Sequence, residues 1–298
     1  MKRPRSLETN NVQRFAYVFL GVMCFVFLFP MYAALMVSIS SRESILHHGY
    51  QLFPTEFSLE AYRLLFTEYG VSLLRAIVLT VGTGVVQPLV TVFLCMLMAY
   101  PLSQADFRGR KFWRVFLVIT MLFSGGIVPN YILKTRFLHL QDSVAIYLMP
   151  SVTAWSIFLF RVFYINIDQG IVESARIDGA NKLQIVTRIM LPLTKPLVAM
   201  EFFSGFLTRW NDINIPLYYI RDRNLYTIQF LLQEMIRSAE RARDLLAAGL
   251  SVSYNAREIP IESTRFALAV IGAIPALILF PFLQKYYAKG ITVGSTKG

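Results

Sequence analysis

Glu173-Ser174-Ala175-Arg176-Ile177-Asp178-Gly179-Ala180-Asn181, followed by Ile189-Met190-Leu191-Pro192, is the stretch whose reading decides the fold. It is a polar, small-residue segment set between strongly apolar runs, and its punctuation is that of two short helices joined by a turn. Asp168 is placed to cap the first helix, and Gly179 to supply the left-handed residue that ends it. Asn181 can open a second helix, which Pro192 would stop before the next apolar run. Ser174, Ala175, Gly179 and Ala180 keep one surface thin enough for a foreign backbone to approach closely. Glu173, Arg176 and Asp178 add charges able to pair with that partner. An elbow of this kind, held at a membrane surface, is built to dock onto something soluble.

The rest of the chain supplies the membrane. Its 298 residues are 55% hydrophobic and 16% charged, a balance foreign to soluble domains. Uncharged runs extend over Phe15–Ile39, Ala76–Ala105, Val115–Leu133, Ser143–Phe160 and Phe266–Gln284, and about 20 residues suffice to cross a bilayer core. A sixth span is expected over 193–219 despite Lys195, Glu201, Arg209 and Asp212. The expected spans are 15–39, 76–102, 115–133, 143–164, 193–219 and 266–286, in an all-α, single-domain integral membrane protein covering 1–298. The first run is too long for a signal-peptide core and reads as a retained helix.

Charge sets the orientation. Lys2, Arg3, Arg5 and Arg14 precede the first span; Arg108, Arg110, Lys111 and Arg114 follow the second; Arg176, Lys182 and Arg188 lie in the polar loop. With Lys285, Lys289 and Lys297 after the last span, all of these fall on one side if there are six crossings. Both termini, the loop 168–192 and the tail 285–298 are therefore expected in the cytoplasm. The net charge of +11 is mostly topological, and its dispersal at span ends argues against nucleic acid as a partner. Cys24 and Cys95 sit inside apolar runs as packing residues, and neither they nor His47, His48 and His139 have metal-ligand spacing.

Outside the membrane, Ser40 to about Val71 reads as an external loop carrying a short amphipathic helix at Ser58–Tyr62 that lies on the bilayer. Pro150 predicts a kink in span four. The region 211–263 is the longest external segment, helical over Leu225–Leu250, and serves either as a solvated cap or as a docking surface. Glu201 is an intramembrane carboxylate, which faces either a water-filled path or a basic group of a partner subunit. Phe202 and Trp210 could line the same path, although aromatics at span ends also anchor to the interface. Arg209 and Asp212 read as interfacial charges. No phosphate-cradling Gly-Lys-Ser/Thr loop occurs, because the chain has no Gly-Lys pair. A motor would have to be a separate chain. Neither the paired carboxylates of an integral-membrane enzyme nor the inverted repeat of a secondary transporter is visible.

Glu173, Ala175, Gly179, Ile189, Leu191 and Pro192 stand in the register of the cytoplasmic EAA loop of binding-protein-dependent ABC importers, with Ser174 in place of an alanine. The chain resembles the MalG-like permeases of the carbohydrate-uptake class of type I (MetI/MalG-like fold) over nearly its whole length. Ala99-Tyr100, Trp210-Asn211-Asp212 and the Gly-rich tail from Gln284 to Gly298 carry that likeness, and Leu217–Asp222 is similar to a branch associated with complex oligosaccharides, including uronides. The resemblance implies a bacterial inner-membrane permease subunit of an ATP-driven oligosaccharide importer, with a permease for a non-sugar solute such as peptides as the alternative. It implies no catalytic residue and no cofactor in this chain, ATP and magnesium belonging to the partner ATPases. The implied partners are a second permease subunit, two ATPase subunits, an external solute-binding protein, an oligosaccharide and membrane lipid. The implied ATPase contacts are Glu173, Ser174, Ala175, Asp178, Gly179, Ala180, Asn181, Ile189, Leu191 and Pro192, with Gly294, Lys297 and Gly298 of the tail. Glu201, Phe202 and Trp210 are the candidate path residues.

Overall fold

The computed structural model describes residues 7–248 and 261–294. Regular structure there is helical, apart from an isolated antiparallel bridge between Ser40 and Phe57. Helix α1 (Leu7–Ser38) carries the first apolar run and presents Phe15, Phe19, Phe25 and Phe27 outward. Helix α2 (Arg42–His48) is capped by Ser41, whose Oγ accepts the Ser44 N–H at 3.1 Å, and ends at Gly49 with φ 70°. His47 and His48 occupy its last turn, where a helix favours positive charge.

Helix α3 (Glu60–Ser103) runs unbroken for 44 residues. The segment expected to lie as a separate helix on the membrane is instead its first turn, started by Ser58 Oγ accepting the Glu60 N–H at 3.2 Å. Between Tyr62 and Ala76 the sole weak point is Gly70, and a lone glycine costs a helix about 1 kcal/mol, too little to end it. The third apolar run is broken into α4 (Arg110–Leu122) and α5 (Ile127–Ile132), the latter prolonged by a π-helical turn over Leu133–Phe137. The two pieces meet at 108° across Phe123-Ser124-Gly125-Gly126, where Gly126 takes φ 81°. The fourth run splits into α6 (Ala145–Leu148) and α7 (Ala154–Ile165). Pro150 gives a full break rather than a kink: Met149 before it is extended, as the clash with a following proline ring demands. Thr153 then restarts the helix by accepting the Ser156 N–H at 3.2 Å.

Helix α8 (Gln169–Ile177) is followed by α9 (Lys182–Gln184), which continues through a π-helical turn (Ile185–Met190) into α10 (Leu191–Leu193). Helix α11 (Lys195–Trp210) leaves this arm at 87°. Then come α12 (Asn214–Tyr219), a 3-10 turn (Arg223–Leu225), α13 (Ile228–Ala247) and α14 (Ile261–Gly294). Among the described residues, Val12–Ser38 and α3 are long and apolar enough to cross a membrane alone, and up to four helices qualify if each bent pair counts as one span. All six apolar runs read from the sequence fall in helix, three of them interrupted.

Contacts group the chain into two compact units, where the sequence reads as one domain. One comprises the residues up to Val71 with Leu232–Ile274; inside it Ser263 Oγ donates to the Ser40 carbonyl at 3.1 Å and Tyr50 Oη to Glu262 at 2.8 Å. The other comprises Ser72–Leu231 with the residues from Pro275 onward, and it holds both candidate sites. Its core joins the end of α3 to α7, α8, the π turn and α11 through Met96, Ala99, Phe160, Val172, Met190 and Leu197. Helix α11 packs at Gly205 directly against the Pro88 ring of α3: a Cβ there would stand 2.8 Å from the Pro88 Cβ. Membrane helices pack closely through such small residues because hydrocarbon offers no hydrophobic drive between them.

Candidate functional site

The elbow forms as its residues dictate. Asp168 Oδ1 accepts the Gly170 N–H at 2.9 Å and starts α8. Gly179, at φ 82°, ends it, and the Ala180 N–H reaches back to the Ala175 carbonyl at 2.9 Å. Asn181 and Gln184 then cap each other: Asn181 Oδ1 accepts the Gln184 N–H at 2.9 Å, and Gln184 Oε1 accepts the Asn181 N–H at 2.8 Å. That reciprocal cap satisfies two backbone donors at the start of the second arm. Pro192 lies one residue before the arm ends; the stop itself is at Thr194, buried, whose hydroxyl donates to the Met190 carbonyl at 2.7 Å.

At 3.6 residues per turn the first arm has two faces. Val172 is buried, worth about 1.5–3 kcal/mol, and Ala175 packs against the same core. Glu173, Ser174, Ile177 and Asp178 point outward, with Ile177 86% exposed. Ile177 thus adds one apolar side chain to an otherwise polar outer face. Arg176 departs from expectation: it turns inward, donating from Nη2 to Gln104 Oε1 at 2.6 Å and approaching Tyr100 Oη at 3.4 Å. The Tyr100 hydrogen bond, first among its neighbours, raises the Arg176 pKa further and secures its charge. Ala180, Ile189 and Leu191 are half-buried against the core, while Asn181 and Pro192 are exposed. In the tail, Gly294 is the last residue of α14, and Lys297 and Gly298 lie outside the described residues.

A second feature is a cavity of about 260 Å³ between α3, the break before α7, and α11. Thr91, Ser151, Thr153, Ser156, Ser204 and Thr208 bring hydroxyls to it, and Gln87, Glu201, Arg209 and Asp212 complete the polar lining. Glu201 Oε2 accepts from Ser156 Oγ at 2.7 Å. Arg209 and Asp212 are no solvated interfacial charges: they pair at 2.7 Å, the guanidinium 5% exposed and lying over the Tyr147 ring at 5.8 Å. Asp212 Oδ1 also accepts the N–H groups of Asn214 and Ile215, which opens α12. Of the three candidate path residues, Glu201 alone lines the cavity. Phe202 packs against the core, and Trp210 is buried in a stack with Phe206 at 6.4 Å. The missed residues carried a signal, since positions 201, 204, 205, 208, 209 and 212 repeat at helical spacing, placing one polar stripe on α11.

In the same unit, Asp142 Oδ1 accepts the backbone N–H groups of Arg221 and Asp222, and its own N–H donates to the Tyr219 carbonyl at 3.0 Å. The Arg221 bond, then that of Asp222, holds the Asp142 carboxyl below its usual pKa. Among the described residues no group of three or more His, Cys, Asp or Glu is arranged to hold a metal ion.

Apolar helices, a polar elbow with an exposed outer face, and a hydroxyl-lined cavity are the features of the membrane subunit of a transporter. Residues 9–293 match the binding-protein-dependent transport system inner membrane components, and the chain belongs to that family. It is 34% identical over 287 residues to the polygalacturonan/rhamnogalacturonan transport system permease protein YtcP of Bacillus subtilis, covering 95% of this chain and 96% of that one. It is 27% identical to the arabinooligosaccharides transport system permease protein AraQ of the same organism, over 94% of each. Among solved structures it is similar to a bacterial ABC transporter involved in the import of the acidic polysaccharide alginate, with a TM-score of 0.78, 27% identity, and coverage of 96% of this chain and 100% of that one. The chain is thus a transport permease of an ABC importer and not an enzyme; hydrolysis belongs to a separate subunit. Such a subunit works with another permease, an ATPase and a binding protein in a membrane.

Proposed function

We propose that this chain is one permease subunit of an oligosaccharide importer in the bacterial inner membrane, with both termini and the elbow 168–192 in the cytoplasm. The observation that carries this reading is the two-faced elbow: Val172 and Ala175 are fixed to the bundle while Glu173, Ser174, Ile177 and Asp178 are presented outward. Sugar as the cargo is supported by the relatives that transport polygalacturonan and arabinooligosaccharides, which favour it over peptides. It is supported also by the hydroxyl-rich cavity around Glu201, which suits a solute that both donates and accepts hydrogen bonds.

In this reading two permease subunits enclose the path, a binding protein delivers sugar from outside, and two ATPase subunits close on ATP. Their displacement enters through Glu173, Ser174, Asp178 and Ile177 and passes along the second arm, Asn181 to Pro192, into α11. The elbow must transmit motion, so it needs stiffness more than affinity. The tail residues Gly294, Lys297 and Gly298 are assigned to the ATPase pair, and Glu201 to the cavity half of the sugar path. The test is reconstitution of the whole complex with its binding protein, screening neutral and acidic oligosaccharides for stimulation of ATP hydrolysis. Stimulation by an oligosaccharide and not by peptides is expected; stimulation by peptides alone would overturn the cargo assignment.

A further inference from the structure

A cavity of about 700 Å³ lies behind the elbow, on the side of α8 opposite its bare face. Its walls mix two chemistries. Leu97 and Pro101 come from the last turns of the apolar helix α3, and Leu183 from the second arm. Arg108, Arg176 and Lys182 bring three cations, against one carboxylate, Asp106. Gln104 and Tyr100 engage Arg176 through Nη2, which leaves the rest of its fork for a ligand and fixes its direction. The transition from the uncharged stretch 76–105 to the basic loop at Arg108 marks the boundary between hydrocarbon and water. A cavity straddling that boundary, apolar toward the bilayer and cationic toward water, matches one kind of molecule.

We infer that this cavity holds the headgroup of an anionic phospholipid. The phosphodiester lies against Arg108, Arg176 and Lys182, and the first carbons of its chains lie against Leu97, Pro101 and Leu183. Basic pockets at helix ends on the cytoplasmic side take such headgroups, and each nearby cation contributes about fivefold in affinity at moderate salt. A soluble phosphate ester offers the same anion, but it leaves the apolar wall uncovered. Glu173, Ser174, Ile177 and Asp178, the α8 residues assigned to the ATPase, face away from the cavity, and loss of the ATPase from the double variant below would make that subunit the occupant instead. A bound headgroup ties the end of α3 to the second arm, so lipid composition sets how firmly the elbow is held.

The experiment uses the full transporter, assembled with its partner permease, ATPase subunits and binding protein, in nanodiscs of phosphatidylcholine with increasing phosphatidylglycerol. Wild type is expected to retain phosphatidylglycerol in native mass spectrometry and to show binding-protein-stimulated ATP hydrolysis that rises with its fraction. Arg108→Gln with Lys182→Gln should cut retention by more than tenfold and flatten the dependence, with the ATPase still bound. Leu183→Trp, which fills the cavity and keeps every charge, should do the same and guards against a charge variant that fails to assemble. Glycerol phosphate added to phosphatidylcholine discs should not substitute; if it does, the ligand is a free phosphate ester and the lipid assignment falls. Unchanged retention in both variants, or loss of the ATPase from the double variant, would likewise overturn it.

Discussion

Gly179 shows how much one backbone angle decides. It sits at φ 82°, and a Cβ there would meet nothing within 4 Å, so the demand for glycine is conformational and not spatial. A β-branched residue in the left-handed region costs about 1–2 kcal/mol, whereas asparagine visits it readily. Gly179→Val is therefore expected to leave the subunit folded but to separate ATP hydrolysis from transport, with sugar uptake falling and hydrolysis persisting. Gly179→Asn should keep uptake near wild type. Uptake assays beside ATPase assays in proteoliposomes distinguish the two; full uptake by the valine variant would remove the elbow from the mechanism. Much of this was legible in the sequence, because Asp168, Gly179 and Asn181 act locally, through their own neighbours. Arg176 was not. Its charge suggested a partner outside, but its guanidinium reaches Gln104, 72 residues away, and no local pattern records that distance.

Between elements, the controlling contact is Gly205 against Pro88. Gly205→Ala puts a Cβ 2.8 Å from a proline ring anchored in helix, and such overpacking costs about 1–3 kcal/mol. Thermal unfolding in detergent should move down, and Gly205→Leu should abolish accumulation of the subunit; a stable leucine variant would show that α3 and α11 do not rely on this approach. The Asp142 clip makes a prediction about pH. Its folded pKa is lowered, so its stabilisation is complete above the ordinary carboxylate range and is lost as pH falls through the folded value. Hydrogen exchange at the Arg221 and Asp222 amides, corrected for intrinsic rates, should accelerate on acidification below about pH 4, and Asp142→Asn should show the fast rate at neutral pH. At this scale the apolar runs read from the sequence all map onto helices, while the breaks in three of them eluded the sequence. Pro150 announced a disturbance, but a kink and a full break differ through ψ at Met149 and the Thr153 cap, which depend on the bundle. The Gly125-Gly126 pair carried the signal for the 108° bend without giving its size.

For the whole molecule, the two faces of α8 predict which positions meet a foreign chain. Cysteines replacing Glu173 or Ile177 should crosslink to the ATPase in intact vesicles, and a cysteine replacing Val172 should not. Capture from Val172 alone would invert the docking face. The right angle at Thr194 gives this arrangement its mechanical meaning. Twelve residues from Lys182 to Leu193 make a handle about 18 Å long, set at 87° to the axis of α11. A sideways push on the end of that handle is a torque about the axis. It would swivel α11 like a spindle, carrying Glu201, Ser204 and Thr208 around together, so that a sweep of the ATPases is felt by the passenger as a turning wall.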